Sequence, residues 1–415
     1  MSERRTGDRE FIAFVSMAMA ATALSIDLML PAFGAIRRAL GLAPDSTAVS
    51  ALVTTFMLGL ASMQLAYGVL ADRLGRRRVL RMGWALYAAG ALATALAPSL
   101  PVMLVARFVW GAGAAGPRTT AMAMIRDRTS GERMARQMSF VMAIFLLVPI
   151  IAPSLGNAIL HVSSWRWVFG FCVLFAAIQL LWSLRLEETL PAERRVQRSG
   201  REVLSSIGFV LRTPGTFGYL VAVTALFGAF NAYLAGSQLI TDEVFGHGDQ
   251  FPLIFGMFGV AMGLGVLING RIVERVGLDR LNGRVMVAYL GISLALLALS
   301  VARDGRPPFV LFAIGLAPVL AIHNVLNPNL NSAAMRPLGA MAGTGAAVLG
   351  TISMGFGALI GAVLDHAYDG GVTPLCIGFF AAGAITFVAV RAAHASVGSG
   401  QRAVVETTRS STTAS

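Results

Sequence analysis

The sequence is poor in charge and in the residue types that build most enzyme and metal sites. Its 415 residues include no lysine, two cysteines and five histidines, and only 13% of its residues are charged, against about 25% in a typical soluble protein. The shortage of charge argues against a soluble domain. Cys172 and Cys376 both lie in apolar runs, so we expect buried side chains and no disulfide framework. No cluster of His, Glu and Cys occurs within those runs, so we expect neither a metal site nor a membrane-embedded enzyme.

Long hydrophobic runs are abundant instead. Hydrophobic residues make up 56% of the chain, and its mean hydropathy is +0.71. Windows of about 20 apolar residues, the length that crosses roughly 30 Å of hydrocarbon, recur from end to end, and none alternates as a barrel strand would. The first window is too long for a cleaved signal peptide. We therefore predict an all-α polytopic membrane protein. Its twelve transmembrane helices are predicted at 11–35, 47–71, 79–98, 101–124, 137–160, 165–185, 215–240, 250–274, 284–302, 308–331, 341–364 and 372–391.

The basic residues are all arginines, and they mark one side of the membrane. The net charge of +12 could by itself suggest a nucleic-acid-binding surface. The arginines cluster, however, at every second connection between the predicted spans, and short basic loops stay in the cytoplasm. We therefore interpret the charge as a topology signal with no nucleic-acid partner, and we place both termini in the cytoplasm.

The longest polar connection divides the chain into two sets of six spans. It lies on the predicted cytoplasmic side and includes LEETLPAERRVQRSGREVLSS. The predicted organisation is a cytoplasmic tail at 1–10, an N-terminal six-helix bundle at 11–185, a cytoplasmic linker at 186–213, a C-terminal six-helix bundle at 214–391 and a disordered cytoplasmic tail at 392–415.

One loop motif occurs in both halves. GVLADRLGRRR at 68–78 follows the second predicted span, and GRIVERVGLDR at 270–280 follows the eighth. A parallel repeat of two six-helix halves around a central cavity is a transporter architecture, with the substrate site near the midplane. In such a loop one glycine allows close helix approach, a carboxylate accepts hydrogen bonds from arginine, and a second glycine allows a tight turn. We predict a conformational latch, the alternative being a basic loop that only sets topology. The latch residues are Gly68, Asp72, Arg73, Gly75, Arg76, Glu274 and Arg275.

At these residues the chain resembles a known family. GVLADRLGRRRVL is similar to the loop 2–3 signature of the major facilitator superfamily. DLMLPA at 27–32, RFVWGAGAAG at 107–116 and the APSLGN and WRWVF stretches within 138–169 resemble the bicyclomycin/chloramphenicol-resistance (Bcr/CflA) drug exporters. The resemblance implies the major facilitator fold and drug/proton antiport. The positions that depart from the usual Tyr, Gln and Gly are Met29, Trp110 and Asn157.

Asp27 is the only acid deep inside a predicted span. An unpaired charge at the centre of a bilayer costs from about 3 to more than 10 kcal/mol. At about 1.5 Å per residue, Arg107 of the fourth span lies at a similar depth, so the two side chains can pair or couple, directly or through water. Movement of the two halves would change water access to the acid and its distance from the arginine, and hence its binding of a proton. The resemblance implies that Asp27 carries proton coupling and that Arg107 modulates it; the alternative is a static buried pair.

Further polar residues inside the spans are candidates for substrate contact. The second arginine of the fourth span either contacts substrate or holds helix ends. The polar residues of the tenth span share one helix face, and its histidine has either a proton role or a packing role. An aromatic and two amides on one face of the seventh span suit an apolar, hydrogen-bonding ligand or plain interhelical hydrogen bonding. The predicted substrate-binding set is Asp27, Arg118, Phe227, Asn231, Gln238, His323 and Asn327.

The fifth span contains two prolines and a glycine. Pro149 and Pro153 remove backbone donors and are expected to bend the helix, and Gly156 allows close packing. The family resemblance implies that this stretch is the antiporter motif, which resists proton leak. It favours export over proton-coupled uptake.

Counting charges around the predicted cavity gives one acid against two arginines and one histidine. That balance favours neutral, zwitterionic or weakly acidic amphipathic solutes. With the family resemblance, we expect a proton-coupled multidrug antiporter of the bacterial inner membrane that exports phenicol- or bicyclomycin-like drugs by alternating access. It would work as a monomer, with the proton gradient as energy source, no cofactor, and drug, protons and lipid as partners. The alternative is a proton-coupled exporter or symporter of a small metabolite such as a sugar or nucleoside.

Overall fold

The computed structural model describes residues 7–195 and 200–412, and within these ranges all regular structure is helical. Twelve segments of the described chain are long and apolar enough to cross a membrane, which confirms the predicted number of spans. The first span consists of α1 and α2, and α8 belongs to the linker. The helices are α1 (Asp8–Asp27), α2 (Phe33–Ala39), α3 (Ala51–Leu74), α4 (Arg76–Leu96), α5 (Leu100–Arg128), α6 (Gly131–Val162), α7 (Arg166–Ser183), α8 (Gly200–Arg212), α9 (Pro214–Leu239), α10 (Phe251–Val276), α11 (Leu278–Val301), α12 (Phe309–Met335), α13 (Ala342–His366) and α14 (Thr373–Thr412).

The first span is longer than predicted and is broken in its interior. It covers Asp8–Ala39, and α1 ends at Asp27, where a turn and a short 3-10 helix at Leu30–Ala32 lead into α2. Pro31 explains the break, because proline has no N–H group and disfavours the helical conformation in the residue before it. Asp27 therefore lies at a helix end inside the protein.

Two segments outside the predicted spans contain helix. α8 occupies the second part of the linker, while residues 196–199 lie outside the described chain. α14 continues from the twelfth span to Thr412, so the structure describes helix where we expected a disordered tail. The sequence at 392–395 is AAHA, and alanine is the strongest helix former.

The two six-span halves meet along a seam built from two helix pairs. α3 packs against α13, and α6 packs against α10. Small residues allow the approach: a Cβ atom added at Gly259 would lie 3.1 Å from Ile150, and one at Gly355 would lie 3.6 Å from Ala61. Lipid supplies no hydrophobic drive between helices, so close packing of this kind stabilises the contact. Because each half crosses six times, α8, the start of the first span and the end of the twelfth lie at one end, called the linker end, opposite the far end.

The N-terminal half is held by close contacts between glycine and backbone. A Cβ atom at Gly111 of α5 would lie 1.9 Å from the carbonyl oxygen of Phe56 in α3. Trp110 packs edge-on against Tyr87 of α4 and Phe169 of α7, with ring centroids 5.3 and 6.0 Å apart. Trp110, where the resembled family has an amide, thus joins three helices into one aromatic core.

Candidate functional site

Asp27 is buried at the seam, where the break in the first span turns the chain towards α2. Its side chain is only 3% exposed, and within residues 7–195 and 200–412 its carboxyl group has no salt bridge or hydrogen bond. α6 packs behind the break, since a Cβ atom at Gly156 would lie 2.1 Å from the carbonyl oxygen of Leu28. The acid is therefore enclosed by helix packing while its cationic neighbour is held elsewhere.

Arg107 is fully buried, and it bonds to backbone instead of to the acid. Its Nε donates to the carbonyl of Leu52 and its Nη1 to the carbonyl of Ser25, each at 3.1 Å, while its Nη2 has no partner. The guanidinium also lies 4.5 Å from the Phe56 ring centroid, where the aromatic face attracts a cation. The predicted direct pairing of Asp27 with Arg107 is thus absent from the described structure. The carbonyls of Ser25 and Leu52 and the Phe56 ring therefore interact with the positive charge of Arg107, and Ser25 lies two residues before Asp27.

Sequence reasoning missed Tyr233 of α9. It lies across the seam, close enough to Asp27 for an electrostatic interaction. Its hydroxyl is buried without a hydrogen-bond partner. Its ring lies 6.1 Å from Phe230, which in turn stacks on His323 at 4.8 Å. The sequence did contain one signal, a tyrosine inside an apolar run, since a buried tyrosine hydroxyl usually has a hydrogen-bond partner; its proximity to Asp27 was not predictable.

His323 and Asn327 occupy the tenth span differently. His323 is 2% exposed, and its Nδ1 has no partner. Asn331 donates to both the backbone and side-chain oxygens of Asn327 at 2.9 Å. Some hydrogen-bonding groups of this polar face are therefore paired within the helix itself. Another amide cluster, which the sequence analysis did not single out, joins α10, α11 and α12 through Asn269, Asn282 and Asn329.

Arg118 lies at the seam without a carboxylate partner in the described chain. Its Nη1 is 3.6 Å from the sulfur of Met354 on α13, a weak acceptor. Two oxygen atoms buried on the neighbouring helices, from Gln64 and Thr351, also have no hydrogen-bond partner. Gln64 reaches α13 at Gly350, where an added Cβ would lie 2.7 Å from its Nε2. This part of the seam is rich in unpaired hydrogen-bonding groups.

The polar face of the seventh span is used for packing inside the protein. An added Cβ at Gly357 of α13 would lie 2.7 Å from Phe227, and Asn231 donates to the carbonyl of Ala358 at 3.5 Å. Of the two interpretations of this face, interhelical hydrogen bonding describes what the structure contains. Gln238 has a different role: it accepts a hydrogen bond from Arg37 on the other half.

The two halves are joined at the far end. The Arg37–Gln238 bond crosses the seam, and Gln238 donates to Asp242 at 3.2 Å. Ser50 of the N-terminal half also lies within hydrogen-bonding reach of Asp365 at the end of α13. Among the described residues, no hydrogen bond or ion pair joins the two halves at the linker end. The structure is therefore a conformation closed at the far end.

The N-terminal copy of the loop motif is an ion-pair network within its own half. Asp72 pairs with Arg76 at 2.7 Å, and Arg76 also pairs with Asp127 of α5 at 2.9 Å. Glu188, at the start of the linker, accepts from the backbone amide of Arg76 at 2.8 Å. Gly75 has a φ of +94°, which only glycine adopts without strain, while Arg73 is exposed.

The close approach that we predicted at Gly68 is absent. An added Cβ there would meet its nearest neighbour at 3.9 Å, and one at the corresponding Gly270 would meet nothing within 4 Å. The turn itself is repeated, because Gly277 has a φ of +83°. The charges are not repeated: Glu274 and Arg275 are exposed and form no ion pair within the described residues. The C-terminal copy instead has Asp279 paired with Arg336 at 2.9 Å.

The prolines of the fifth span lie inside one long helix. α6 runs from Gly131 to Val162 through Pro149 and Pro153. Pro149 faces Gly259 of α10, where an added Cβ would lie 3.5 Å from its side chain. This stretch of α6 thus contributes both to the seam, through Pro149, and to the enclosure of the first-span break, through Gly156.

Comparisons with known proteins agree with this architecture. The family model of the Major Facilitator Superfamily matches residues 11–362. The chain is 27% identical over 371 residues to the bicyclomycin resistance protein homolog of Haemophilus influenzae, covering 88% of this chain and 91% of that protein. It is 27% identical over 260 residues to a chloramphenicol resistance protein of Pseudomonas aeruginosa, covering 61% and 60% of the two chains.

A solved structure shows the same fold. The crystal structure of a D-xylose-proton symporter superposes with a TM-score of 0.73 at 13% identity, covering 92% of this chain and 97% of the other. The expected similarity to the bicyclomycin/chloramphenicol-resistance family is confirmed by the named relatives. With twelve spans in two packed halves and a family match over most of its length, the chain belongs to the Major Facilitator Superfamily of membrane transporters.

Proposed function

We propose that the protein is a proton-coupled exporter of neutral or weakly charged amphipathic drugs in a bacterial inner membrane, with both termini and the linker in the cytoplasm. The relatives named for bicyclomycin and chloramphenicol resistance support the drug class. The arginine-rich loops at the linker end support the orientation.

One observation carries the proton coupling: Asp27 is a buried acid at the seam, without a cationic partner in the described structure. A carboxylate in such a position is costly unless it is protonated or reached by water. Movement of the halves would open the acid to water on one side and then on the other. Arg107, held by two carbonyls, would provide a fixed positive charge that favours release of the proton when water reaches the site.

The substrate class follows from the charges along the seam. Arg118 has only a thioether close to its Nη1, and the oxygens of Gln64 and Thr351 are unpaired. A bound dication would face this arginine without an adequate acid to balance it. An uncharged or weakly acidic molecule with hydrogen-bonding oxygens could instead accept a hydrogen bond from Arg118 and bond to the buried oxygens that have no partner, which are costly to leave unpaired.

The closed far end gives the first step of the cycle. In this conformation the drug would enter from the linker end, where the described chain has no bond between the halves. Protonation of Asp27 from the outside would then accompany the return from the opposite conformation. Export of one drug is thereby coupled to inward movement of protons.

The test uses inside-out vesicles, a proton gradient and a panel of phenicol, bicyclomycin-like and cationic drugs. Addition of a transported drug is expected to release protons in the wild type and not in Asp27→Asn, because the amide cannot exchange a proton. Asp365→Asn is the matched control, since Asp365 also lies within a candidate span and Asn can keep a hydrogen bond to Ser50. It should retain coupling.

Coupling retained in Asp27→Asn would contradict the assignment of the proton to Asp27. Proton release with cationic drugs alone would contradict the substrate class. Absence of a response in the wild type to every drug would exclude the proposed drug exporter and favour the metabolite transporter, which sugars and nucleosides in the same assay would reveal.

A further inference from the structure

The linker helix α8 presents an apolar stripe that the described chain leaves exposed. At about 100° per residue, Ile207 and Val210 point to one side of α8. They pack against the hydrophobic core, and Val210 is fully buried. Leu204 and Leu211 point to an adjacent side, about 80° away, and are 70% and 39% exposed. Two neighbouring apolar faces thus have different environments.

Two arginines lie along one edge of the exposed stripe. Arg201 and Arg212 lie about 60–80° around the helix axis from Leu204, on the side away from the buried face. Both are exposed. Arginine can extend its charged group from such a margin while its apolar stem covers neighbouring hydrophobic surface. Ser205 and Glu202 lie further round, on a side that also carries the 44% exposed Phe209.

The position of α8 along the chain places it at the membrane boundary. Only Thr213 separates Arg212 from Pro214, the first residue of α9. The seventh candidate span begins at Gly215. Phe217, in the first turn of that span, is 47% exposed, as a lipid-facing side chain would be. Leu211 therefore lies only a few residues from the lipid-facing surface.

We propose that α8 is an interfacial helix that binds anionic phospholipid. Leu204 and Leu211 enter the boundary between headgroups and acyl chains in the leaflet at the linker end, and Arg201 and Arg212 bind the phosphate-bearing headgroups. An apolar face bordered by basic residues is the pattern of helices that lie in the membrane plane, and their binding strengthens with anionic lipid. The positive charge of the two arginines complements the negative charge of the lipid. It would repel the same arginines on a second copy of α8, which argues against dimerisation through this face.

The contacts of α8 give this binding a structural effect. α8 packs on α9 and α13, which both belong to the C-terminal half. Lipid bound to α8 would therefore attach that half to the membrane surface. This inference concerns lipid and does not depend on the identity of the transported molecule.

The test measures the depth of nitroxide labels by electron paramagnetic resonance. Labels are attached one at a time to Leu204→Cys, Leu211→Cys and Ser205→Cys in the full-length protein, with the two buried native cysteines checked for unwanted labelling. The proteins are reconstituted into phosphatidylethanolamine vesicles with and without phosphatidylglycerol. Collisions with oxygen report lipid, and collisions with a water-soluble nickel chelate report water.

At the two leucine positions we expect an oxygen-to-nickel accessibility ratio several-fold higher than at Ser205, and we expect phosphatidylglycerol to raise it. The double variant Arg201→Gln/Arg212→Gln should no longer show the rise in this ratio on addition of phosphatidylglycerol. Arg303→Gln, which changes an exposed arginine of the far end, is the matched control and should still show it. High nickel access at both leucines would overturn the proposal, since the stripe would face water. Low access to both reagents would also overturn it, because protein would then cover the stripe. Insertion without any effect of phosphatidylglycerol would refute the recognition of anionic headgroups.

Discussion

A single residue, Arg107, shows how a positive charge is held inside a membrane bundle by groups that carry no full charge. Two backbone carbonyls and the ring of Phe56 surround its guanidinium. The planar fork of arginine can reach both carbonyls at once, whereas lysine has a compact ammonium group. The fork therefore ties α1 to α3 next to the break at Asp27.

Arg107→Lys is expected to lose one of the two carbonyl bonds. A hydrogen bond from a charged group contributes about 1.5–3 kcal/mol, so the thermal midpoint in detergent should fall and drug-driven proton release should weaken. Arg303→Lys, at an exposed site in the far-end loop, is the matched control and should leave both unchanged. Unaltered stability and transport in Arg107→Lys would show that the fork is dispensable.

The sequence predicted which polar side chains lie inside the membrane bundle, but it did not predict which groups they contact. The depth of Asp27 follows from the length of the apolar run, because a helix rises by a fixed amount per residue. Carbonyls occur at every depth of a helical bundle, so the preference of Arg107 for Ser25 and Leu52 could not be read from spacing. Tyr233 was missed for the same reason: its proximity to Asp27 depends on how the two halves are docked.

Among the helices, the first span is the one that contains the proposed proton site. Its break places Asp27 at a helix end, and α6 closes over the break at Gly156, where a Cβ atom would lie 2.1 Å from the carbonyl oxygen of Leu28. Spans could be predicted from hydropathy. The break could not be located in that way, because a proline in a membrane helix is often accommodated without one.

Gly156→Ala should push α6 away from the first span. A contact that short cannot be relieved by a small side-chain movement, so we expect a loss of about 1–3 kcal/mol from overpacking and a proton leak in the absence of drug. The control is Gly291→Ala in α11, where an added Cβ meets nothing within 4 Å; there alanine should be neutral or stabilising by up to about 1 kcal/mol. Equal thermal midpoints and equal leak rates for the two variants would contradict the close-packing argument.

For the whole molecule, the distribution of bonds between the halves determines which end opens. The far end is joined through Arg37 and Gln238, and the described residues contain no equivalent bond at the linker end. The repeat in the sequence predicted two halves. It did not predict which conformation they would adopt, because a transporter sequence must be compatible with both.

Gln238→Ala should shift the protein towards opening at the far end. Loss of a hydrogen bond to a charged group, worth about 1.5–3 kcal/mol, corresponds to a shift of about tenfold or more in the opening equilibrium. Spin labels at Asp45 and Asp249, which are exposed in far-end loops of opposite halves, should report longer distances by double electron–electron resonance. Gln137→Ala removes a buried glutamine that bonds to Thr129 within one half, and it should leave the distances as in the wild type. Unchanged distances in Gln238→Ala would exclude this bond as a determinant of closure.

The unequal ion pairing of the two repeated turns has a mechanical consequence. Around Gly75, the pairs Asp72–Arg76 and Arg76–Asp127 brace three helices into a stiff frame, to which Glu188 fastens the beginning of the linker. Around Gly277 the corresponding Glu274 is exposed, and the ion pair present there is the exposed Asp279–Arg336 pair, so that rim is braced less extensively. When the two halves move relative to each other, the N-terminal half should therefore move as a rigid body. Most of the change in helix packing should occur within the C-terminal half.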